Sequence, residues 1–450
     1  MNNQSETELL RQLADRAGIA SEYYDITGTL HVTSDDTRRA ILRAMGLRTD
    51  TQDDLVAELT QWDDRSWLRI CEPVYVVRAN GAPASWSASI PCETAGELSL
   101  LVQWSLRNED GAVCYERIEG PGLGVQEERF LAGRRYVRSA FMFPPNLSLG
   151  YYQGTVRVQG GAVECETAFL LIVAPARCYM PDCFLQGARL WGLSLQLYSL
   201  RSECNWGAGD FRDLVNIVEW AGSRLGAAII GLNPLHALKN TMPYHISPYS
   251  PNSRLFLNEF YIDMASIPEF AAPKVQQQLA DSVFQSCLDE LRKSEFVDYD
   301  GVMRAKRVIL ELCYEAFLEN NFVGEEPDLQ SVTERGRAFE TYVEQEGDSL
   351  RWYAVFQALD EDQRGAGVMQ WTEWPAEFRH PCSDAVREYE HRQKRRVRFF
   401  WYLQWLAALQ MDGLVKKSQE AGMVVGLYHD LALGSDRNGA DGWRFQDLLA

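Results

Sequence analysis

Residues 190–234 read LWGLSLQLYSLRSECNWGAGDFRDLVNIVEWAGSRLGAAIIGLNP, and this stretch decides the fold. Leu190 to Leu200 is apolar enough to hold a strand, and a loop of Gly, Asn and Asp follows it. Asp210 stands where a helix N-cap belongs, since its carboxylate can accept the free N–H groups of a first turn. Phe211 to Ser223 then repeats apolar residues at helical spacing. Gly226 to Gly231 is a short apolar strand that Asn233-Pro234 ends. Strand, helix and strand in this order make a β-α-β unit, and such units build parallel sheets.

Toward the C-terminus, the next clear strand is Met423 to Tyr428. A long helix precedes it, from about Arg392 to Ala421, with Val397, Trp401, Gln404, Ala408 and Met411 near one face and Gly422 closing it. The residues between the second and third strands are mostly helical on period. They include Val275 to Lys293, Gly301 to Glu319 and Thr333 to Leu359, a large insertion placed over 265–390.

Toward the N-terminus, residues 175–185 form a linker. Before it, Leu98, Leu100, Val102, Trp104 and Leu106 alternate with residues of mixed polarity, and Tyr152, Gly154, Val156 and Val158 repeat that period. Pro73 to Val77, Tyr136 to Phe143 and Ala168 to Val173 complete a set of short strands separated by turns. This predicts an antiparallel β-sandwich over 68–178, its aromatics either core or a sugar-binding surface. Residues 1–65 read as a helical unit. Ser5-Glu6-Thr7-Glu8 is a capping box, Leu9, Leu13 and Ala17 share a face, and Gly18 suits a left-handed stop. A second helix starts near Ser34 and ends at Gly46.

The chain has 450 residues, 46% of them hydrophobic, with a net charge of −19 and a pI near 4.9. That charge repels nucleic acid and anionic lipid, so neither is expected as a partner. No apolar stretch has membrane-spanning length, and residues 1–17 are polar and acidic where a secretory signal is basic and then apolar. Ten cysteines without a CxxC read as reduced thiols, which predicts a cytoplasmic protein. Six histidines without HExxH spacing give no metal site.

Ligands of parallel α/β folds bind at the carboxyl ends of strands. The first strand is followed by Tyr198, Ser199, Arg201, Ser202 and Trp206 to Asp210. After the second come Asn233, Pro234, His236 and the run Ser247-Pro248-Tyr249-Ser250-Pro251-Asn252-Ser253-Arg254. After the third come His429, Asp430 and Trp443. Hydroxyls, amides, carboxylates and flat aromatics are what sugars need, since their hydroxyls want polar partners and their C–H faces want rings. There is no GxGxxG, no GxxxxGK[ST] and no G-x-S-x-G, so nucleotide-cofactor and nucleophile-elbow chemistry find no motif.

Three of these segments resemble the amylomaltase catalytic barrel: Leu190 to Ser202 with Trp206 to Phe211; Gly231 to His236 with Ser247 to Arg254, Asn258 and Tyr261 to Asp263; and Gly426 to Gly434 with Trp443. The family is the 4-α-glucanotransferases (disproportionating enzyme, glycoside hydrolase family 77). The resemblance runs from about residue 8 to 450. It includes the extension of the long bacterial form, whose sandwich strands and exit linker resemble Leu149 to Tyr152 and Ile172 to Pro175. It implies a multidomain fold: the helical unit, the β-sandwich, and over 185–450 the first part of a (β/α)8 barrel with the helical insertion. By resemblance, Ser247 and Tyr249 line the sugar site next to the point of cleavage. Asp430 matches the strand-three aspartate on the substrate side, and Asn233 with Pro234 matches the turn after strand two. These four residues, Ser247, Tyr249, Asp430 and Asn233, form the expected substrate-binding set. Gln404 with Trp405, and Trp371, Trp374 and Pro375, match family motifs read as structural. The implied partners are maltooligosaccharides and glucose, with no cofactor.

The family's nucleophile lies in an Arg-Ile-Asp-His type motif after the fourth strand, and its acid/base in a Glu-Asp-Leu-Gly type motif after the fifth. Neither occurs in these 450 residues, and His429-Asp430 sits on strand three, too early for the family's third carboxylate. The resemblance therefore implies retaining double displacement in a complete enzyme. It also implies a chain without catalytic residues, inactive as given, with open sheet edges and poor order past residue 185. A non-catalytic glucan-binding protein and an α-amylase-like hydrolase stay open as alternatives.

Overall fold

The computed structural model describes residues 5–79, 81–92, 100–119, 122–160, 163–241, 245–326 and 328–448. The chain divides into two compact units, one up to Tyr179 and one from Met180.

The first unit opens with α1 (Glu6–Arg16). The Ser5 hydroxyl accepts the Glu8 N–H at 3.3 Å, and the Ser5 N–H donates to the Glu8 carboxylate at 2.9 Å. Gly18 takes a φ of +78° just beyond it, a conformation a Cβ would disfavour. Leu9, Leu10, Leu13 and Ala14 pack against Leu42 of α2 (Asp35–Ala44) and Leu55 of α3 (Gln52–Leu68). Between α1 and α2 the purely helical expectation fails. There β1 (Glu22–Tyr24) and β2 (Leu30–Val32) form an antiparallel hairpin exposed along its whole length.

The sandwich is built from β3 (Val74–Arg78), β4 (Ser85–Cys92), β5 (Leu101–Asn108), β6 (Val113–Glu119), β7 (Val125–Leu131), β8 (Arg134–Met142), β9 (Gly150–Gly160) and β10 (Val163–Ala174). One sheet has the order β3-β10-β9-β5-β6, the other β4-β8-β7. Val102, Trp104 and Leu106 face the core on alternate positions of β5, as do Tyr152, Val156 and Val158 on β9. Leu98 lies outside the described residues. Trp86 stacks on Phe141 at 4.7 Å and meets Trp104 edge-on at 5.9 Å, so these aromatics are core. One pairing corrects the wholly antiparallel expectation: β3 runs parallel to β10, Val74 opposite Leu170. Parallel neighbours need a long crossover, which the six intervening strands supply.

In the second unit, after the short α4 (Asp182–Leu185), three strands form a parallel sheet in the order β11-β12-β17. They are β11 (Gly192–Leu195), β12 (Ile229–Leu232) and β17 (Gly426–His429). Helix α5 (Phe211–Val218) crosses from β11 to β12 and runs on into a π-helical turn, Glu219–Arg224. Small antiparallel pairs join β13 (His236–Ala237) to β14 (Ser253–Leu257) and β15 (Phe322–Val323) to β16 (Gln330–Ser331). Helices α6 (Pro273–Leu279), α7 (Ser282–Lys293), α8 (Tyr299–Asn321), α9 (Glu334–Gly365), α10 (Asp384–Arg392) and α11 (Lys394–Glu420) fill the interval before β17, and α12 (Ala440–Arg444) follows it.

The single helix expected over 275–293 is two. Asp281 caps α7 by accepting the Phe284 N–H at 2.9 Å, which competes with helix continuation. Within α9, Gly347 leaves helical geometry at φ +54° and kinks the helix. Past residue 185, where poor order was expected, the described residues are packed. One buried cluster runs from Leu197 to Trp443, because the inserted helices supply apolar partners such as Phe317, Phe339, Phe356 and Tyr402. The open edges are present: among the described residues β11 and β17 each lack a second strand neighbour, and Trp191 and Tyr428 are exposed. No helix of the described residues is long and apolar enough to cross a membrane.

Candidate functional site

The three parallel strands end in register. Leu195 lies opposite Leu232, and Leu232 opposite His429. The residues that follow each strand therefore leave the sheet at one rim.

Asn233 is the first residue beyond β12 and is buried. Its Oδ1 accepts the Leu197 N–H at 2.8 Å, while its Nδ2 donates to the Pro234 carbonyl at 2.8 Å and the Tyr261 hydroxyl at 3.1 Å. Both of its N–H donors and one acceptor position of its oxygen are used inside the protein. Asn233, which the sequence grouped with sugar-contacting residues, links the ends of β11 and β12.

Ser247 and Tyr249 lie on an exposed turn in the connection from β13 to β14. The Ser247 carbonyl accepts the Ser250 N–H at 3.1 Å, and its hydroxyl accepts the Tyr249 N–H at 3.4 Å. Serine followed by proline favours such a turn. The Tyr249 ring stands 57% exposed, and its hydroxyl donates to Asp430 Oδ2 at 3.1 Å. This bond holds the phenol above its ordinary range, because ionising it would set a second negative charge beside Asp430. Ser247, Tyr249 and Asp430 thus come together at the rim, and Asn233 lies beneath it.

Two imidazoles stand nearby. His236 accepts the Ala432 N–H on Nε2 at 3.4 Å. Burial, then the Arg254 guanidinium, pulls it below the ordinary histidine range, and burial does the same to His429. Both environments favour the neutral imidazole. Arg254 donates its backbone N–H to Asp441 at 2.9 Å and its guanidinium to the Leu433 carbonyl at 3.0 Å. These bonds fold the segment after β17 back over the turn that carries Tyr249.

Beneath the rim is a buried polar layer. Asp210 caps α5 by accepting the N–H groups of Arg212 at 3.0 Å and Asp213 at 3.4 Å. Burial pushes its carboxyl up to about 6 against the opposing pull of Lys306, 3.9 Å away. The Lys306 ammonium donates to the carbonyls of Phe260 at 2.6 Å and Ile262 at 2.8 Å. Gln404 on α11 pairs with both backbone groups of Leu257, at 3.0 and 2.8 Å, as a neighbouring strand would. Trp374 is fully buried and Trp443 donates to the Phe378 carbonyl at 2.9 Å, so both are framework.

Sequence reasoning missed Lys239, Gln357, Asp360, Asp436 and Asp441, which fix the segment after β17. Each acts through a partner far away in the chain, and only the Asn438-Gly439 turn was there to flag that segment. Among the described residues, no group of three or more His, Cys, Asp or Glu is placed to hold a metal ion.

Residues 195–450 match the family profile described as 4-alpha-glucanotransferase, and residues 70–175 match the MalQ N-terminal beta sandwich domain. The 4-alpha-glucanotransferase of Mycobacterium tuberculosis is 32% identical over 455 residues, covering 98% of this chain and 57% of that protein. That of Haemophilus influenzae is 28% identical over 448 residues, with the same coverage. The crystal structure of amylomaltase from Corynebacterium glutamicum superposes with a TM-score of 0.75 at 26% identity, over 98% of this chain and 56% of that one. This chain thus spans little more than half the length of these relatives. With a multidomain fold of helical and β elements, a β-sandwich and an α/β region resembling an incomplete barrel, the chain belongs to the 4-alpha-glucanotransferase family, glycoside hydrolase family 77.

Proposed function

We propose that this chain carries the sugar-gripping part of an active site that transfers α-1,4-glucan segments between maltooligosaccharides. The observation that carries the reading is the meeting of Tyr249 and Asp430 at the strand rim, with Ser247 beside them. An exposed ring offers a flat face for the C–H side of a glucose, and a carboxylate with two hydroxyls can take its hydroxyl groups. Asn233 serves this site from below, by fixing the strand ends. On this reading residues 185–450 are the opening strands of a (β/α)8 barrel of the long family form, with the insertion over 265–390. The helical unit over 1–65 and the sandwich over 68–178 precede it.

The chemistry would be retaining double displacement, in which one carboxylate attacks the anomeric carbon and a carboxylic acid protonates the leaving oxygen. Acceptor sugar must then outcompete water, which positioning by rings and hydroxyls favours. Neither an Arg-Ile-Asp-His nor a Glu-Asp-Leu-Gly type motif occurs in the 450 residues, so this chain by itself binds glucan without turning it over. The mechanism calls for no cofactor. The ten cysteines include no CxxC pair, which supports a reducing, cytoplasmic setting.

Calorimetric titration with maltotriose to maltoheptaose, paired with an assay for glucose and longer glucans from maltotriose, tests the reading. Binding without products is the expected result. Transfer products would overturn the inactivity, reducing ends without transfer would favour a hydrolase, and absence of binding would sink the sugar site.

A further inference from the structure

The segment after β17 begins at Asp430 and turns back at residues 436–440, where a set of long-range bonds grips it. The Lys239 ammonium donates to the Asn438 carbonyl at 3.0 Å and to Asp360 of α9 at 3.1 Å. Its side chain is 5% exposed and lies over the Phe356 ring of the same helix. Asp360 is held in turn by Arg364 at 2.7 Å. One turn earlier on α9, Gln357 accepts from Asn252 Nδ2 at 2.7 Å, and Asn252 Oδ1 accepts the Ala440 N–H at 2.9 Å. Trp371 adds a third tie by donating Nε1–H to the Arg437 carbonyl at 3.0 Å. Gly439 runs so close to the Asn252 carbonyl that a Cβ there would overlap it.

The gripped segment is the one that shapes the rim. Its proximal part supplies Asp430 to Tyr249, the Ala432 N–H to His236 and the Leu433 carbonyl to Arg254. Its distal part supplies Asp436 to His245 at 3.1 Å. Both ends of the turn that carries Ser247 and Tyr249 are thus bound to it. A buried ammonium shared between a carboxylate and a backbone carbonyl tolerates little displacement, because any gap leaves a buried charge or acceptor unpaired.

We infer that Lys239 is a positioning residue: it transmits the placement of helix α9 in the insertion to the segment carrying Asp430, and so sets the sugar-binding geometry of the rim. This deepens the proposed function and rests on it for the identity of the ligand. The insertion is then a working part of the site. Lys239 acts on the rim through its bonds to Asp360 and Asn438.

The test combines hydrogen exchange with sugar binding on the full chain, comparing wild type with Lys239→Met. Amides of residues 432–441 should exchange faster in the variant while those of α8 and α11 keep their protection. Affinity for maltoheptaose should fall about tenfold, as expected when a pre-ordered segment must be ordered by its ligand. Lys239→Arg, which keeps the charge and both acceptors, should recover most of the loss. Should Lys239→Met fail to fold, Trp371→Phe, which cuts a more peripheral tie to the same turn, should give the same local exchange pattern to a smaller degree. Unchanged exchange over 432–441 would overturn the positioning role, whatever happens to binding. Faster exchange in a protein whose wild type binds no maltooligosaccharide would leave the strut standing and refute both the sugar-binding consequence and the proposed function.

Discussion

The Tyr249 hydroxyl and the Asp430 carboxylate meet at 3.1 Å although 181 positions separate them in the chain. The contact joins the turn after the second parallel strand to the tip of the third. Tyr249→Phe keeps the ring and removes the bond. Tyr249 is exposed, so the fold should hold, with an unchanged denaturant midpoint. Affinity for maltoheptaose should drop about tenfold, the scale of one hydrogen bond to a charged group. Tyr249→Ala, which also removes the stacking face, should weaken it further. Equal affinities of wild type and both variants by calorimetry would remove Tyr249 from the site.

Asp210 makes the fold pH-sensitive in a defined window. Burial raises its carboxyl to about 6 in the folded chain. A folded value above the unfolded one means that the protonated form is favoured by folding. Its contribution to stability is therefore full below about pH 4, the unfolded Asp range, and is lost as pH rises through about 6. Asp210→Asn retains a capping side chain but cannot ionise. The stability difference between wild type and Asp210→Asn should shift by on the order of 2 kcal/mol in the variant's favour from pH 4 to pH 7. Thermal melts of both proteins across that range measure it, and parallel curves would show that Asp210 keeps an ordinary carboxyl.

Much of this was written locally in the sequence. The β-α-β unit announced itself through Asp210 and the apolar period of Phe211 to Ser223, and Ser5 and Ser34 marked helix starts through capping chemistry that spans four residues. The hairpin of Glu22–Tyr24 and Leu30–Val32 left no such trace, because exposure on both faces abolishes the alternation that betrays a strand. The break at Asp281 was hidden because neither glycine nor proline stands between Leu279 and Ser282 to mark it. That Ser247, Tyr249 and Asp430 would lie at strand ends was legible from the strand pattern, and their proposed part in sugar binding rests on the family resemblance. Lys239 was not, since its partners lie 121 and 199 positions away and no local pattern encodes them.

Gly154 on β9 offers a control confined to the sandwich. A Cβ at this position would overlap the Phe169 ring, which packs across the neighbouring strand β10. Gly154→Ala should cost about 1 to 3 kcal/mol of stability through overpacking. Sugar affinity should stay at the wild-type value, since the rim belongs to the unit from Met180 onward. A variant as stable as wild type in denaturant titration would mean that the Phe169 ring has room to move.

Asn233 provides the sharpest separation between bracing and binding. Asn233→Asp is nearly isosteric and still accepts the Leu197 N–H, but its second oxygen faces the Pro234 carbonyl where an N–H donor belongs. An ionised carboxylate there is buried against an acceptor, so the group should hold its proton to well above the ordinary Asp range. Protonated, it restores one donor; ionised, it buries a charge and sets an oxygen against the Pro234 carbonyl. The variant should therefore be about 2 to 3 kcal/mol less stable than wild type at pH 7 and recover part of that loss below pH 5. A surface residue that merely touched sugar would lose affinity on this change without losing stability. Chemical denaturation of Asn233→Asp at the two pH values, without any ligand, decides between the two, and a midpoint equal to wild type at both would free Asn233 from the frame and return it to the sugar.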